Sequence, residues 1–198
     1  MKLRLSCLLL ILPLAVLVAS SQSRKYEVKS GIVTYDIVMD MGATKITNRA
    51  VVYFDDYGAR ECRESFRNGK LSESFFSDGS ELFTLLHDKK EALIRGAASR
   101  GTEFRCSWDE VAEVDKKEGK ARKLEPMTIA GKDCETFLVK TANGDVTYSG
   151  WKNVLFFMGL DGKTLKMSTK AVKFDENSPV PQSKFTVPSG YTKKASPM

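Results

Sequence analysis

The chain has 198 residues, 42% hydrophobic and 28% charged, with a formal net charge of +6 and a single histidine. That composition suits a folded protein of one domain and excludes collagenous, disordered and disulfide-dense classes. The modest positive excess attracts anionic surfaces only mildly and excludes the strong field of a nucleic-acid binder.

Lys2 and Arg4 precede an apolar run from Cys7 to Val18, and the small residues Ala19, Ser20 and Ser21 follow it. This is the pattern of a secretory signal peptide. The run is too short to cross a bilayer comfortably and carries Pro13. Ala19 and Ser21 fit the signal-peptidase positions, so the mature chain is expected to begin near Gln22 or Arg24, exported and soluble in the periplasm or secreted. Cys7 stands at the front edge of the run, which excludes anchoring as a lipoprotein through that residue. Residues 1–23 are thus read as a cleaved leader, 24–191 as one domain and 192–198 as a disordered tail with nothing to bury.

Within the domain the hydrophobic period is two. Gly31 to Met39 places Val33, Tyr35, Ile37 and Met39 on one face, and Ile46 to Phe54 does the same with Ile46, Ala50, Val52 and Phe54. Further strands are predicted at Arg60 to Phe66, Leu71 to Ser77, Leu82 to His87 and Ala92 to Arg95. Asp56-Tyr57-Gly58, Asn68-Gly69 and Ser77-Asp78-Gly79 separate them with residues that tolerate positive φ. Ser107-Trp108-Asp109-Glu110 then forms a capping box, and Trp108, Val111, Ala112 and Val114 recur at helical spacing. A short helix over Ser107 to Val114 is expected, ended by a charged loop from Asp115 to Lys123. Strands resume at Cys134 to Lys140, Val146 to Trp151, Val154 to Met158 and Leu165 to Phe174, with a last edge element around Phe185.

About ten antiparallel strands on one domain must curl, split or close. A helix between two meanders favours a strongly curved antiparallel sheet, an incomplete β-barrel, with the short helix covering its concave face.

Four segments in this order carry a resemblance: Lys29-Ser30-Gly31-Ile32-Val33-Thr34-Tyr35, Tyr53-Phe54-Asp55-Asp56-Tyr57-Gly58, Ile129-Ala130-Gly131-Lys132-Asp133-Cys134 and Phe185-Thr186-Val187-Pro188-Ser189-Gly190-Tyr191. With the leader before them, they resemble uncharacterised secreted bacterial domains related to the outer-membrane lipoprotein-sorting carriers. The resemblance implies an incomplete barrel whose lidded concave face shelters acyl chains. Such carriers hold an arginine that latches the lid, but no local motif matches Arg49, Arg60 or Arg63 to it, so no arginine is assigned.

No catalytic or cofactor signature stands out. His87 is the only histidine and sits at a strand end, Asp55-Asp56 falls in a turn, and phosphate-loop, zinc and calcium patterns are absent. Three cysteines remain beyond the leader, allowing one bond at most. Cys106 to Cys134 is the expected pair because it ties the helical segment to the second meander. Cys62 is an alternative partner, and three buried thiols with no bridge is another. The run Lys116 to Lys123 reads as a solvated loop or a site of transient membrane contact, and Val154 to Met158 as a buried strand or cavity wall.

Three classes of function follow: a carrier of an acyl chain or other hydrophobic ligand, an envelope module that binds a protein partner through a filled domain, and a hydrolase in which His87 converges with a nucleophile. The carrier is the expectation, with no cofactor and no nucleic acid. Its candidate lining, selected by strand alternation, is Tyr35, Ile37, Val52, Phe54, Phe75, Leu85, Phe137 and Phe156.

Overall fold

The computed structural model describes residues 24–78, 81–95 and 104–195. The expected leader lies outside these residues. The first meander consists of β1 (Gly31–Asp40), β2 (Lys45–Asp55), β3 (Arg60–Arg67), β4 (Lys70–Ser77), β5 (Leu82–Leu86) and β6 (Glu91–Arg95). The second consists of β7 (Ala121–Ile129), β8 (Lys132–Thr141), β9 (Gly144–Trp151), β10 (Val154–Asp161) and β11 (Lys166–Glu176). A final strand, β12, spans Thr192–Ala195.

All twelve belong to one sheet in the order β12-β6-β5-β4-β3-β2-β1-β11-β10-β9-β8-β7. The meanders join where β1 pairs antiparallel with both β2 and β11. The ends β7 and β12 do not pair with each other, so the sheet curves without closing. Tight turns follow the sequence: Asn68 and Gly69 both take positive φ, the geometry of a two-residue hairpin turn.

Alternation builds the core. Val33 opposes Val52 and Tyr35 opposes Ala50 in register, and all four are buried. With Phe54, Phe156, Leu155 and the leading segment around Tyr26, they form the larger core inside the curve. The opposite face of β3 to β6 carries a smaller core of Cys62, Phe76, Phe83, Leu85 and Ala92, closed by Phe185 from the C-terminal segment.

The structure corrects four expectations: the edge element expected around Phe185 is a 3-10 turn at Gln182–Phe185, and three further segments differ. The helix expected over Ser107 to Val114 is split into a 3-10 turn at Trp108–Glu110, capped by the Ser107 hydroxyl, and a short α1 at Glu113–Lys117. Val111 and Ala112 between them are not helical, since Val111 takes an extended ψ of 130°. The expected loop up to Lys123 gives way to β7 from Ala121, an edge strand whose charged side chains hid it because only Ala121 and Ile129 are buried. The tail also differs: Thr192–Ala195 pairs parallel with β6 although all four residues are exposed. Backbone ladder bonds hold it, and a reading that looks for buried side chains does not see them.

Candidate functional site

A strap at residues 104–112 crosses the inside of the curve. β11 pairs with β10 only from Phe157 onward, which leaves the start of β10 open. The strap takes that edge: Cys106 donates its N–H to the Asn153 carbonyl, Leu155 donates to the Phe104 carbonyl, both at 2.9 Å, and Arg105 bridges Val154. Gly150 of β9 makes this approach possible. A Cβ at Gly150 would lie 2.7 Å from Cys106 Sγ and 2.9 Å from its carbonyl oxygen.

Between strap and sheet lies a partly open cavity of about 590 Å³, within the range of small-molecule sites. Its floor is apolar and comes from five strands: Ile37 on β1, Phe137 and Val139 on β8, Tyr148 on β9, Met158 on β10 and Met167 on β11. Its roof is the strap, with Phe104, Val111 and Ala112, and it continues to Arg63 on β3. Strands far apart in sheet order thus face one space, which the curvature requires. Aromatic contacts stiffen one wall: Trp108 meets Phe137 edge-on at 5.6 Å, and Phe137 stacks on Tyr148 at 5.4 Å. Arg63 lies 5.9 Å from the Phe104 ring.

Of the four charged residues of the cavity, Arg105, Glu110 and Asp115 come from the strap and α1, and Arg63 comes from β3. Arg105 Nη1 and Glu110 Oε1 pair at 2.7 Å. Burial raises the Tyr148 hydroxyl and pushes the Cys106 thiol up to about 12, so neither ionises at neutral pH. Among the described residues no cluster of three metal-ligating groups occurs.

Of the residues selected from sequence, Ile37 and Phe137 line the cavity. Tyr35 lies at its base, donating its hydroxyl to the Leu155 carbonyl at 2.7 Å with its ring 5.1 Å from Phe104. Val52 is buried in the larger core, Phe54 packs on Tyr26, and Phe156 packs between Trp151 and Phe174. Phe75 opposes Arg63 in register and is half-buried on the same side of the sheet. Leu85 belongs to the smaller core on the other face. Sequence reasoning gave Phe104 and Arg105 no role, because they carry no periodicity, and named Cys106 only as a disulfide partner. Tyr148 and Met158 lay within strands that the sequence predicted, and the two are register partners.

The expected Cys106–Cys134 bond is not formed; Cys62, Cys106 and Cys134 are buried free thiols. Cys106 rests on Gly150, which is register-paired with Glu135. Alternation therefore turns the neighbouring Cys134 to the other side of β8.

His87 does meet a hydroxyl. Its Nε2 lies 2.7 Å from Ser74 Oγ and its Nδ1 2.7 Å from the Tyr191 hydroxyl. Ser74 is 4% exposed, beneath the covered face of the sheet, so this chain of contacts ties down the C-terminal segment and offers no open nucleophile.

No family model matches the chain, and no curated protein matches it in sequence. Solved structures do share its fold. An uncharacterised conserved protein from Thermus thermophilus superposes with a TM-score of 0.56 at 8% identity, over 83% of this chain and 90% of that one. A chain of the Pseudomonas aeruginosa MucA/MucB complex superposes with a TM-score of 0.51 at 9% identity, over 84% of this chain and 58% of that one. A LolA superfamily protein from Nitrosomonas europaea is also among the matches, at a TM-score of 0.40 and 9% identity, over 82% and 92% of the two chains.

Proposed function

We propose that the protein is an exported binding protein that holds an acyl chain, or a similarly long apolar ligand, between its curved sheet and the strap. One observation supports this above the others: the cavity of about 590 Å³ keeps an apolar floor of six side chains from five strands instead of filling with them. Each methylene moved from water onto such a floor contributes about 0.8 kcal/mol, so a ligand of ten or so carbons overcomes the entropy lost on association. The expected leader and the resemblance to lipoprotein-sorting carriers support a periplasmic place for this activity. The commitment of the one histidine to Ser74 and Tyr191, away from the cavity, supports a binding role.

A second reading has its own support. A structure of this fold comes from the MucA/MucB complex, which supports a role in protein association; in this chain a protein segment would place its apolar side chains in the cavity. Native mass spectrometry of protein purified without detergent separates the two. The carrier reading expects adducts of lipid mass that organic extraction removes; a bare mass that stays bare after incubation with fatty acids, and shifts only with a co-purified polypeptide, favours the second.

A further inference from the structure

The apolar floor of the cavity continues to one end of the sheet. Beyond Ile37 the same face of β1 carries Met39, whose register partners are Ile46 on β2 and the cavity residue Met167 on β11; Met167 pairs in turn with Leu160 on β10. At the other end of that face Val33, Tyr35 and Phe54 are buried core. The row through Met39 and Met167 therefore leads from the cavity outward. It ends at the β1–β2 hairpin, where Ile46 is 38% and Met41 49% exposed. The tip is firmly built: Met41 donates its N–H to the Thr44 carbonyl at 2.9 Å, and Gly42 donates to Asp40 Oδ1 at 2.8 Å.

α1 stands at the same end. It supplies Asp115 to the cavity and leads into β7 at Ala121, the register partner of the cavity residue Val139. Its Val114 is 55% exposed. One exposed apolar side chain is ordinary, but three at the outer end of an apolar channel mark an interaction surface.

Charge says what that surface meets. The hairpins β3–β4, β1–β2 and β10–β11 follow one another in sheet order. They carry Arg67 and Lys70, Lys45, and Lys163 and Lys166, all exposed, against the acids Asp40 and Asp161. Only Lys166 among these five cations has an ion pair, with Asp161. The turns at the opposite end of the sheet reverse the balance, with Asp55, Asp56, Asp78 and Glu81 against Arg60, Lys132 and Lys152. Apolar tips ringed by unpaired cations complement a surface of anionic headgroups over hydrocarbon.

Resting on the acyl-chain reading above, we propose that this end of the sheet docks on an anionic phospholipid bilayer. Met41, Ile46 and Val114 enter the interface, the surrounding lysines and Arg67 face the headgroups, and an acyl chain passes between bilayer and cavity along the row of Met39 and Met167. The contact is transient, because a few exposed side chains and screened charges hold it.

The test is co-sedimentation of the exported protein, free of its expected leader, with vesicles of phosphatidylcholine alone or of equal parts phosphatidylcholine and phosphatidylglycerol. Binding about tenfold or more stronger to the anionic vesicles, and lost at high salt, is expected. Lys163→Glu and Met41→Ser should each weaken it about fivefold or more, whereas Lys29→Glu, an exposed position at the opposite end, should change it less than about twofold. Equal binding to both vesicles, binding to neither, or equal weakening by Lys29→Glu and Lys163→Glu overturns the docking. The wild-type comparison decides without any variant if one fails to fold. Titration of a fluorescent fatty acid without vesicles reads the acyl-chain proposal separately. Vesicle binding without fatty-acid binding overturns that reading and the route along Met39 and Met167; fatty-acid binding without vesicle binding overturns the docking and leaves the acyl-chain reading in place.

Discussion

Cys62 and Cys106 sit where a thiolate would lose its hydration, and burial pushes both up to about 12; Cys134 rises to about 11 for the same reason. Buried protonated thiols are poor nucleophiles. Alkylation at pH 8 is therefore expected to label none of the three in the native protein and all three after denaturation, and rapid native labelling at Cys62 would show that its cover opens. His87 titrates in the other direction. Burial lowers its pKa below the usual value, against the pull of Glu64 and Asp88 and with the help of Lys184. The unfolded chain then binds the proton more readily than the folded one, so stability is complete above about pH 6.5 and falls as pH drops below it. His87→Gln should flatten thermal stability between pH 7 and 5; an unchanged slope would assign the pH dependence to other groups. Tyr35→Phe removes the bond to the Leu155 carbonyl and is expected to cost about 1 kcal/mol in urea unfolding.

At the scale of elements, the strap and the C-terminal segment perform matching tasks on the two faces of the sheet. The strap depends on Gly150, so Gly150→Val should force Cys106 away, cost about 1–3 kcal/mol through overpacking, and expose the strap to proteolysis ahead of the sheet. The C-terminal segment is anchored by Phe185, which is 1% exposed, and by the part-buried contact of Lys184 with Glu64. Phe185→Ala is expected to cost about 3–5 kcal/mol; a loss under 1 kcal/mol would mean that the smaller core survives without it. Sequence legibility divides along the same line. Strands β1 to β6 and β8 to β11 were readable because apolar patterning, by alternation or in β10 as a continuous run, coincides with turn residues in them. The strap, β7 and β12 were not, because backbone pairing and one glycine hold them with little patterned burial of their own. Ile37 and Phe137 were readable as lining for the reason that β1 and β8 were, whereas Leu85 shows how alternation finds a buried face without saying which side of the sheet it is on.

At the scale of the molecule, curvature makes the site. A flat sheet would hold Arg63 on β3 and Val139 on β8 six strands apart; the bend brings them around one cavity, and the strap covers it from β10. The sheet itself separates the two cores, so its two faces are expected to respond independently: Phe185→Ala should lower stability without changing ligand affinity. The central claim is that the cavity receives an apolar chain, and titration with a fluorescent fatty acid tests it most directly when the wild type is measured beside Val139→Trp, which fills the floor. Saturable micromolar binding by the wild type, weakened about tenfold or more in a variant with a wild-type-like melting curve, is the predicted result; equal affinity in the two proteins, or no saturable binding by a folded wild type, would contradict it.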